Sequence, residues 1–418
     1  MAGLDIITLG CRLNIAEGET MRILAQGQDD LIIVNSCAVT GEAVRQTRQA
    51  IRRAHRARPE ARIVVTGCAA QTDPAMFAAM PEVAQVLGNR EKTLAASFHQ
   101  PERVQVSDIM AVRETAPQLA SAFAEHARAF VEVQNGCDHR CTFCIIPFGR
   151  GNSRSVPAGA IKDTLKTIID SGYREIVLTG VDVTSYGHDL PGNQTLGTLI
   201  QRLFQQLPAL PRLRLSSLDS IEIDDPLFAL ITGEPRLMPH LHLSLQSGDD
   251  LILKRMKRRH SRGEAIAMVE RIKTLRPDVS IGADIIAGFP TETDAMFENS
   301  LRLIEECDIV HGHIFPYSPR AGTPAARMPQ VHPTIVKERA ARLRAACAER
   351  RRHWLSSLIG TRQSVLVERD GLTGHAENFA PVRFPSPRPP GEIATATIAA
   401  LENGVLIAQD ARHESNCP

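Results

Sequence analysis

Three of the nine cysteines fall within eight positions, in Gln134-Asn135-Gly136-Cys137-Asp138-His139-Arg140-Cys141-Thr142-Phe143-Cys144. A C-x3-C-x2-C segment can curl round a cubane so that three thiolates reach three irons, and no fourth cysteine follows where a ferredoxin run needs one. One iron is then left open to chelate a small molecule. Radical chemistry of S-adenosylmethionine (SAM) at an iron-sulfur centre is a cofactor chemistry of this kind. The same cysteines with His139 also offer zinc ligand types, although their gaps differ from the usual paired C-x2-C ribbons.

A second triad needs a fold to assemble it. Ile6 to Leu9, Leu31 to Val34 and Ile63 to Thr66 have the apolar character of buried strands, and Glu17 to Ala25, Glu42 to Ala57 and Pro74 to Met80 predict helices between them. Such alternation argues for an open parallel sheet, whose ligand sites lie outside the carboxyl ends of the strands. Cysteines stand at three of those ends, in Gly10-Cys11-Arg12-Leu13-Asn14, Asn35-Ser36-Cys37 and Thr66-Gly67-Cys68. A lone cysteine there is ordinarily a small buried hydrophobe; three at equivalent ends suggest a second cluster with an open iron. The glycines beside Cys11 and Cys68 would let backbone approach it.

From Phe130 onward six strand-like runs alternate with helical stretches: Phe130 to Gln134, Glu175 to Thr179, Arg212 to Ser216, His240 to Leu245, Ser280 to Ala287 and Ile309 to Phe315. They suggest an incomplete barrel of parallel strands, with its site at their carboxyl ends. Ser244 and Gln246 fall on one side of a strand by its two-residue period and could reach a ribose. Leu178-Thr179-Gly180-Val181-Asp182 ends its strand in a glycine and a carboxylate. After Gly360 the pattern changes to short alternating strands, Gln363 to Glu368, Pro381 to Phe384, Glu392 to Ile398 and Val405 to Ala408, which predict a small β-barrel.

The cysteine spacing with Phe143 just before the last cysteine resembles the radical-SAM superfamily. The order GCRLN, NSCAVT, VTGCAAQ and QNGCDHRCTFCIIPFGRG is similar to the methylthiotransferases within it, enzymes with two 4Fe-4S clusters that attach a methylthio group to an unactivated C-H position. Ser36 stands where many members have threonine. The resemblance covers essentially the whole chain and implies one cluster on Cys11, Cys37 and Cys68, and another on Cys137, Cys141 and Cys144 that binds SAM for reductive cleavage. It places Phe143, Gly180 and Asp182 near SAM, with Asp182 facing its amino group and Arg255 a partner for its carboxylate, although Lys254, Lys257, Arg258 and Arg259 crowd that choice. It also sets Gly282 to Thr293 beside the adenine and His313 to Pro324 near the substrate.

The implied α/β architecture is an amino-terminal open parallel sheet domain (residues 1–100), a linker (101–126), a radical-SAM partial (β/α)6 barrel (127–357) and a TRAM-like β-barrel with tail (358–418). Lys+Arg 48 against Asp+Glu 47 gives a formal charge of +1, so RNA contact would have to come from local patches. Two basic stretches offer them: the arginines from Arg45 to Arg62, and the helix Pro333 to Leu358 with Arg339, Arg342, Arg344, Arg350, Arg351 and Arg352. Nine cysteines, no secretory leader and no long apolar run suggest a cytoplasmic protein without a membrane span, with Pro101 and Pro117 in the connector and Cys417 a free thiol of the tail.

GCRLN, NSCAVT, SSLDSIEID and FPYSPRAGTPAA are most similar to the branch that modifies C2 of N6-threonylcarbamoyladenosine beside the anticodon of tRNA. This implies tRNA, a sulfur donor, and an electron donor such as flavodoxin or ferredoxin as partners. The alternatives are methylthiolation of isopentenyladenosine in tRNA or of a ribosomal-protein aspartate, and, in another class, an iron-sulfur RNA-binding regulator without methylthiolation.

Overall fold

Strands β1 (Asp5–Thr8), β2 (Leu31–Ser36), β3 (Arg62–Gly67), β4 (Gln85–Leu87) and β5 (Val104–Gln105) pair in parallel, in chain order. The computed structural model describes residues 3–409 except 101, 117, 119–122, 124 and 125, so Pro101, Pro117 and Cys417 lie outside the described residues. The centres of β2 (Leu31 to Val34) and β3 (Ile63 to Val65) are Leu, Ile and Val because both faces of the sheet are covered. Helices α1 (Arg12–Leu24) and α2 (Gly41–Ala57) connect them, and Thr40 caps α2 by accepting from the Ala43 amide at 3.1 Å. β5 falls inside the stretch expected to be a connector. Its two residues are too few to show a period, yet Gly88 N donates to Gln105 O at 2.8 Å and ties them to the sheet.

The central domain starts with β6 (Ala129–Glu132), followed by an antiparallel ribbon of β7 (Gln134–Asn135) and β8 (Arg154–Ser155) that brackets the Cys137 loop. Next come β9 (Glu175–Thr179), β10 (Arg212–Leu215), β11 (Ser217–Leu218), β12 (His240–Gln246), β13 (Ser280–Ala287) and β14 (Ile309–Pro316). Parallel ladders run β6-β9-β10 and β11-β12-β13-β14, and β10 and β11 are separated by Ser216 alone, which makes one curved arc of six units. Among the described residues no ladder joins β14 back to β6. α1 packs beside β6 on that open side, where Ala16 shares a core with Phe130 and Val131. Removing a Leu, Ile or Phe side chain of this core from water contributes roughly 1.5–3 kcal/mol.

Strands β15 (Arg362–Val367), β16 (Thr373–Ala376), β17 (Pro381–Arg383), β18 (Ile393–Glu402) and β19 (Val405–Ala408) close into a barrel in the order β15-β16-β17-β19-β18. β16 is not evident in the sequence, because Gly374 breaks its pattern. A Cβ there would come within 2.5 Å of Val365 Cγ1, so the glycine is what lets β16 lie against β15.

This barrel docks on the amino-terminal ends of the core strands through buried charges. Glu175 accepts from Arg214 at 2.8 and 3.1 Å and from Arg128 at 2.9 Å, while Arg214 also donates to the Ala376 and Glu377 carbonyls at 2.8 and 2.7 Å. The helix Pro333–Ser357 enters from the other side and places Leu355 in the small barrel's core. Its arginines, read as partly paired along the helix and partly candidates for RNA contact, are engaged within the chain. Arg339 pairs with Glu292 and Asp294, Arg342 with Glu298, Arg350 with Asp308 and Arg352 with Glu349, while Arg344 donates to the Ile314 carbonyl and Arg351 contacts His311.

Candidate active site

The first triad is built by three successive strand ends. Gly10 has φ 98° and is so close to Cys37 that a Cβ would lie 2.8 Å from the Cys37 Cβ, which holds Cys11 and Cys37 side by side. Gly67 (φ 93°) lets β3 turn directly into helix α3 (Cys68–Thr72), with Cys68 as its first residue. The three thiols are close enough to influence one another's ionisation.

Behind Cys68 lies a buried polar network that the cysteine spacing does not reveal. Arg150 directs Nε at Cys68 Sγ from 3.1 Å, donates to Asn14 and is paired with Glu17, whose Oε2 also accepts from the fully buried Lys92 at 2.7 Å. Burial opposes the Glu17 charge, but Arg150 and Lys92 hold its pKa down at about 2. The network crosses from the first domain to the core, since Arg150 ends the short helix that follows Cys144.

The second triad sits in the loop bracketed by β7 and β8. Gly136 (φ 72°) opens the loop where a Cβ would collide with the Asn152 carbonyl, and Cys137 N then donates to Gly151 O at 3.1 Å. Thr142 N donates to Met256 O, which ties the loop to the helix after β12. The two triads face each other: Cys144 feels the charges of both Cys141 and Cys68, and a Cβ on Gly149 would lie 3.2 Å from the Cys68 Cβ.

Around the second triad, Asp182 Oδ2 accepts from His139 at 3.0 Å and Ser185 at 3.0 Å and lies 3.4 Å from Cys137 Sγ. Hydrogen bonds donated to Asp182 and Glu222 push the His139 pKa up to about 10. Gly180 is pressed against Gln134, whose Oε1 accepts from the Val181 and Asp182 amides at 3.1 and 2.8 Å. The Phe143 ring meets Phe289 edge-on at 6.3 Å, within an apolar cluster that includes Met256 and Ile286.

Ser244 offers its carbonyl to Arg258 at 2.8 Å, and Gln246 closes β12 at φ 67°. Positive φ at a residue other than glycine, asparagine or aspartate is strained and clusters at functional sites. Arg255 donates to Thr291 O at 3.4 Å. Arg258 is the guanidinium beside the cluster loop, 3.9 Å from Cys141 Sγ and 3.0 Å from Asp219. In sequence it is one of five basic residues in a row of six, with nothing to set it apart.

A row of imidazoles across the inner face of β12 to β14 is also absent from the sequence reading. His242 and His313 contact the same oxygen of Asp284 at 2.9 and 3.3 Å, and their rings lie 4.4 Å apart. Those two hydrogen bonds draw Asp284 far below the usual carboxylate range against the opposing effect of burial. The available signal was the alternation His240-x-His242 and His311-x-His313 on neighbouring strands.

The donor sets fit iron-sulfur clusters. All six thiols are free. Burial pushes Cys37 up to about 11 and Cys144 up to about 12 and raises Cys137 too, so their thiolates need bound cations to offset desolvation. Each triad also has a guanidinium at one sulfur, Arg150 or Arg258. Such donors could hold a cluster, and the carboxylate of Asp182 beside Cys137 suits the ammonium of an amino-acid-bearing cofactor.

Comparison with known proteins agrees with this geometry. Residues 131–304 match the radical SAM superfamily and residues 4–88 the uncharacterized protein family UPF0004. The threonylcarbamoyladenosine tRNA methylthiotransferase MtaB of Rickettsia prowazekii is 49% identical over 405 residues, 96% of each chain. The protein of the same name from Bacillus subtilis is 34% identical over 92% of this chain and 90% of its own. The tRNA-2-methylthio-N(6)-dimethylallyladenosine synthase of Erythrobacter litoralis is 33% identical over 87% and 86%. Among solved structures, the radical S-adenosylmethionine methyltransferase TsrM from Kitasatospora setae, with cobalamin and a [4Fe-4S] cluster bound, shares the fold at a TM-score of 0.54 and 14% identity, covering 78% of this chain and 77% of that one. With identity at this level across nearly the whole of both chains, this chain belongs to the radical-SAM methylthiotransferases.

Proposed function

We propose that this enzyme adds a methylthio group to C2 of N6-threonylcarbamoyladenosine next to the anticodon of tRNA. The observation that carries the reading is the close approach of two thiol triads, in a chain 49% identical to a protein named for that modification. Cys11, Cys37 and Cys68 would hold one 4Fe-4S cluster, and Cys137, Cys141 and Cys144 a second that also binds SAM. When bound, these groups supply the electron, radical and methylthio chemistry.

The chain's own residues bind, orient and shield. Asp182, fixed by Ser185 and His139, is a rigid acceptor for the SAM ammonium. Gly180 keeps that turn close to Gln134, and Phe143 with Phe289 closes the apolar side. Ser244 and Gln246 line the inner face of β12 toward the ribose. Arg255 or, from its position beside Cys141, Arg258 receives the SAM carboxylate. Arg150 steadies charge at Cys68.

The enzyme would work in the cytoplasm with tRNA, a sulfur donor and a flavodoxin- or ferredoxin-type reductant. Among the described residues no helix is long and apolar enough to cross a membrane. Nucleoside mass spectrometry of total tRNA from cells with and without the protein tests the reading. Loss of the methylthio form of threonylcarbamoyladenosine, with its precursor accumulating, is the expected result. An unchanged profile for that nucleoside overturns it, and a change confined to isopentenyladenosine would reassign the substrate.

A further inference from the structure

Arg12 follows Cys11 and begins α1, so its position is fixed by the same strand end that carries the first triad. Its guanidinium carbon lies 5.8 Å from the centre of the Phe379 ring, which the small barrel extends to the core. Arg128 and Arg214 approach the same ring at 5.7 and 5.1 Å, and Phe379 lies against His240 at 4.9 Å and His375 at 4.5 Å. These groups lie where the small barrel meets the amino-terminal ends of the core strands, and Arg12 reaches them from the strand end that carries Cys11.

The charges there do not balance. Arg214 and Arg128 are joined to Glu175, Arg128 also to Glu368 at 2.6 Å, and Arg212 to Glu377 at 3.5 Å. Among the described residues no hydrogen bond or ion pair engages Arg12. Four guanidiniums therefore face three carboxylates, and Arg12 is the cation left over. His240 does not change the sum, because burial and the charges of Arg214 and Arg12, among others, keep it neutral. A guanidinium partly removed from water and denied a counterion favours an incoming anion, and its planar fork suits a carboxylate.

We propose that Arg12 receives the carboxylate of the threonylcarbamoyl group and thereby selects an anionic N6 substituent over an apolar one. The inference rests on the proposed tRNA substrate and deepens it. A carboxylate fits because its single negative charge matches the single surplus positive charge and its two oxygens match the planar guanidinium fork. An apolar prenyl chain in the same place would leave Arg12 desolvated and unpaired, which penalises it.

The test uses the full chain with clusters reconstituted anaerobically, and anticodon stem-loop RNAs carrying threonylcarbamoyladenosine, its methyl ester, or isopentenyladenosine. kcat and KM for methylthio product are measured for the wild type, Arg12→Gln and Arg12→Lys. The wild type should prefer acid to ester by about 100-fold in kcat/KM, the scale of a desolvated charge pair. Arg12→Gln should bring that ratio close to one, and Arg12→Lys should retain part of it. Because the ratio is taken within each protein, differences in the fraction of active enzyme cancel. A wild type that converts the acid, with Arg12→Gln keeping the wild-type ratio, overturns the proposal and leaves the substrate assignment intact. A wild type that converts only isopentenyladenosine overturns both. If Arg12→Gln fails to assemble, the wild-type ratio still decides, since equal use of acid and ester overturns the proposal.

Discussion

Replacing Glu17 with glutamine removes the carboxylate that lies between Lys92 and Arg150. Lys92 has a side-chain exposure of 0% and Arg150 of 2%, so neither cation can turn to water. Breaking a buried pair by deleting one partner costs roughly 3–5 kcal/mol. In line with this, Arg150 and Lys92 hold the Glu17 carboxylate below its ordinary range against the opposing effect of burial. In scanning calorimetry of the cluster-free chain, Glu17→Gln should lower the transition of the amino-terminal domain by at least about 12 °C. It should also reduce iron bound per chain, because Arg150 loses the partner that aims it at Cys68. Glu17→Leu combined with Lys92→Met should recover part of the loss, since it removes one of the two buried cations that Glu17→Gln leaves unpaired, while Arg150 keeps its contacts to Asn14 and Cys68. A shift below about 3 °C for Glu17→Gln, or a double variant lower than the sum of its singles, would refute the argument that the network is held by mutual charge compensation.

Cys141→Ala should abolish reductive SAM cleavage while iron remains at the first triad, as read by deoxyadenosine release and Mössbauer spectroscopy; retained cleavage would sink the assignment of the second triad. Cys37→Ala should spare some cleavage and remove methylthio product, and product at normal yield would make the first triad structural. Gly136→Ala should cost the second triad most of its iron, because the position has φ 72° and no space beside the Asn152 carbonyl, whereas full occupancy in the variant would show that the loop can rebuild. Acid should release the small barrel. Burial opposes ionisation of Glu175, but Arg214 and Arg128 hold it at about 2, below its ordinary 4.5. With the folded value depressed, its contribution is complete above about pH 4.5 and is lost as pH falls toward about 2. An acid-active protease should cut between core and barrel only inside that window, and cleavage already at neutral pH would count against the charge-mediated docking.

The parts legible in the sequence are those whose cause is local. Parallel strands covered by helices carry short runs or alternations of Leu, Ile and Val, so β2, β3 and the six core runs can be read directly, and a cysteine after each of three strands fixes where the thiols go. β4, β5 and β16 are short or carry glycine or polar residues, and tertiary pairing makes them strands. The acidic partners of the basic helix Pro333–Ser357 were not legible for a related reason. Composition reports how many arginines a helix has but not whether acids from elsewhere reach them, and Glu292, Asp294, Glu298 and Asp308 do.

The same distinction explains why Arg12 stands out only in three dimensions. In the sequence it is one residue of GCRLN, and Arg128, Arg212 and Arg214 are equally basic. Folding supplies Glu175 from the start of β9 and Glu368 and Glu377 from the small barrel, and these satisfy the other three guanidiniums. Specificity here is thus a remainder, the charge left after the fold has neutralised its own. A consequence follows for the small barrel. If its carboxylates set that remainder, Glu368→Gln should leave Arg128 competing with Arg12 for the incoming anion, tighten acid-bearing RNA and widen the acid-to-ester ratio. A ratio unchanged by Glu368→Gln would mean that Arg12 acts without reference to its neighbours.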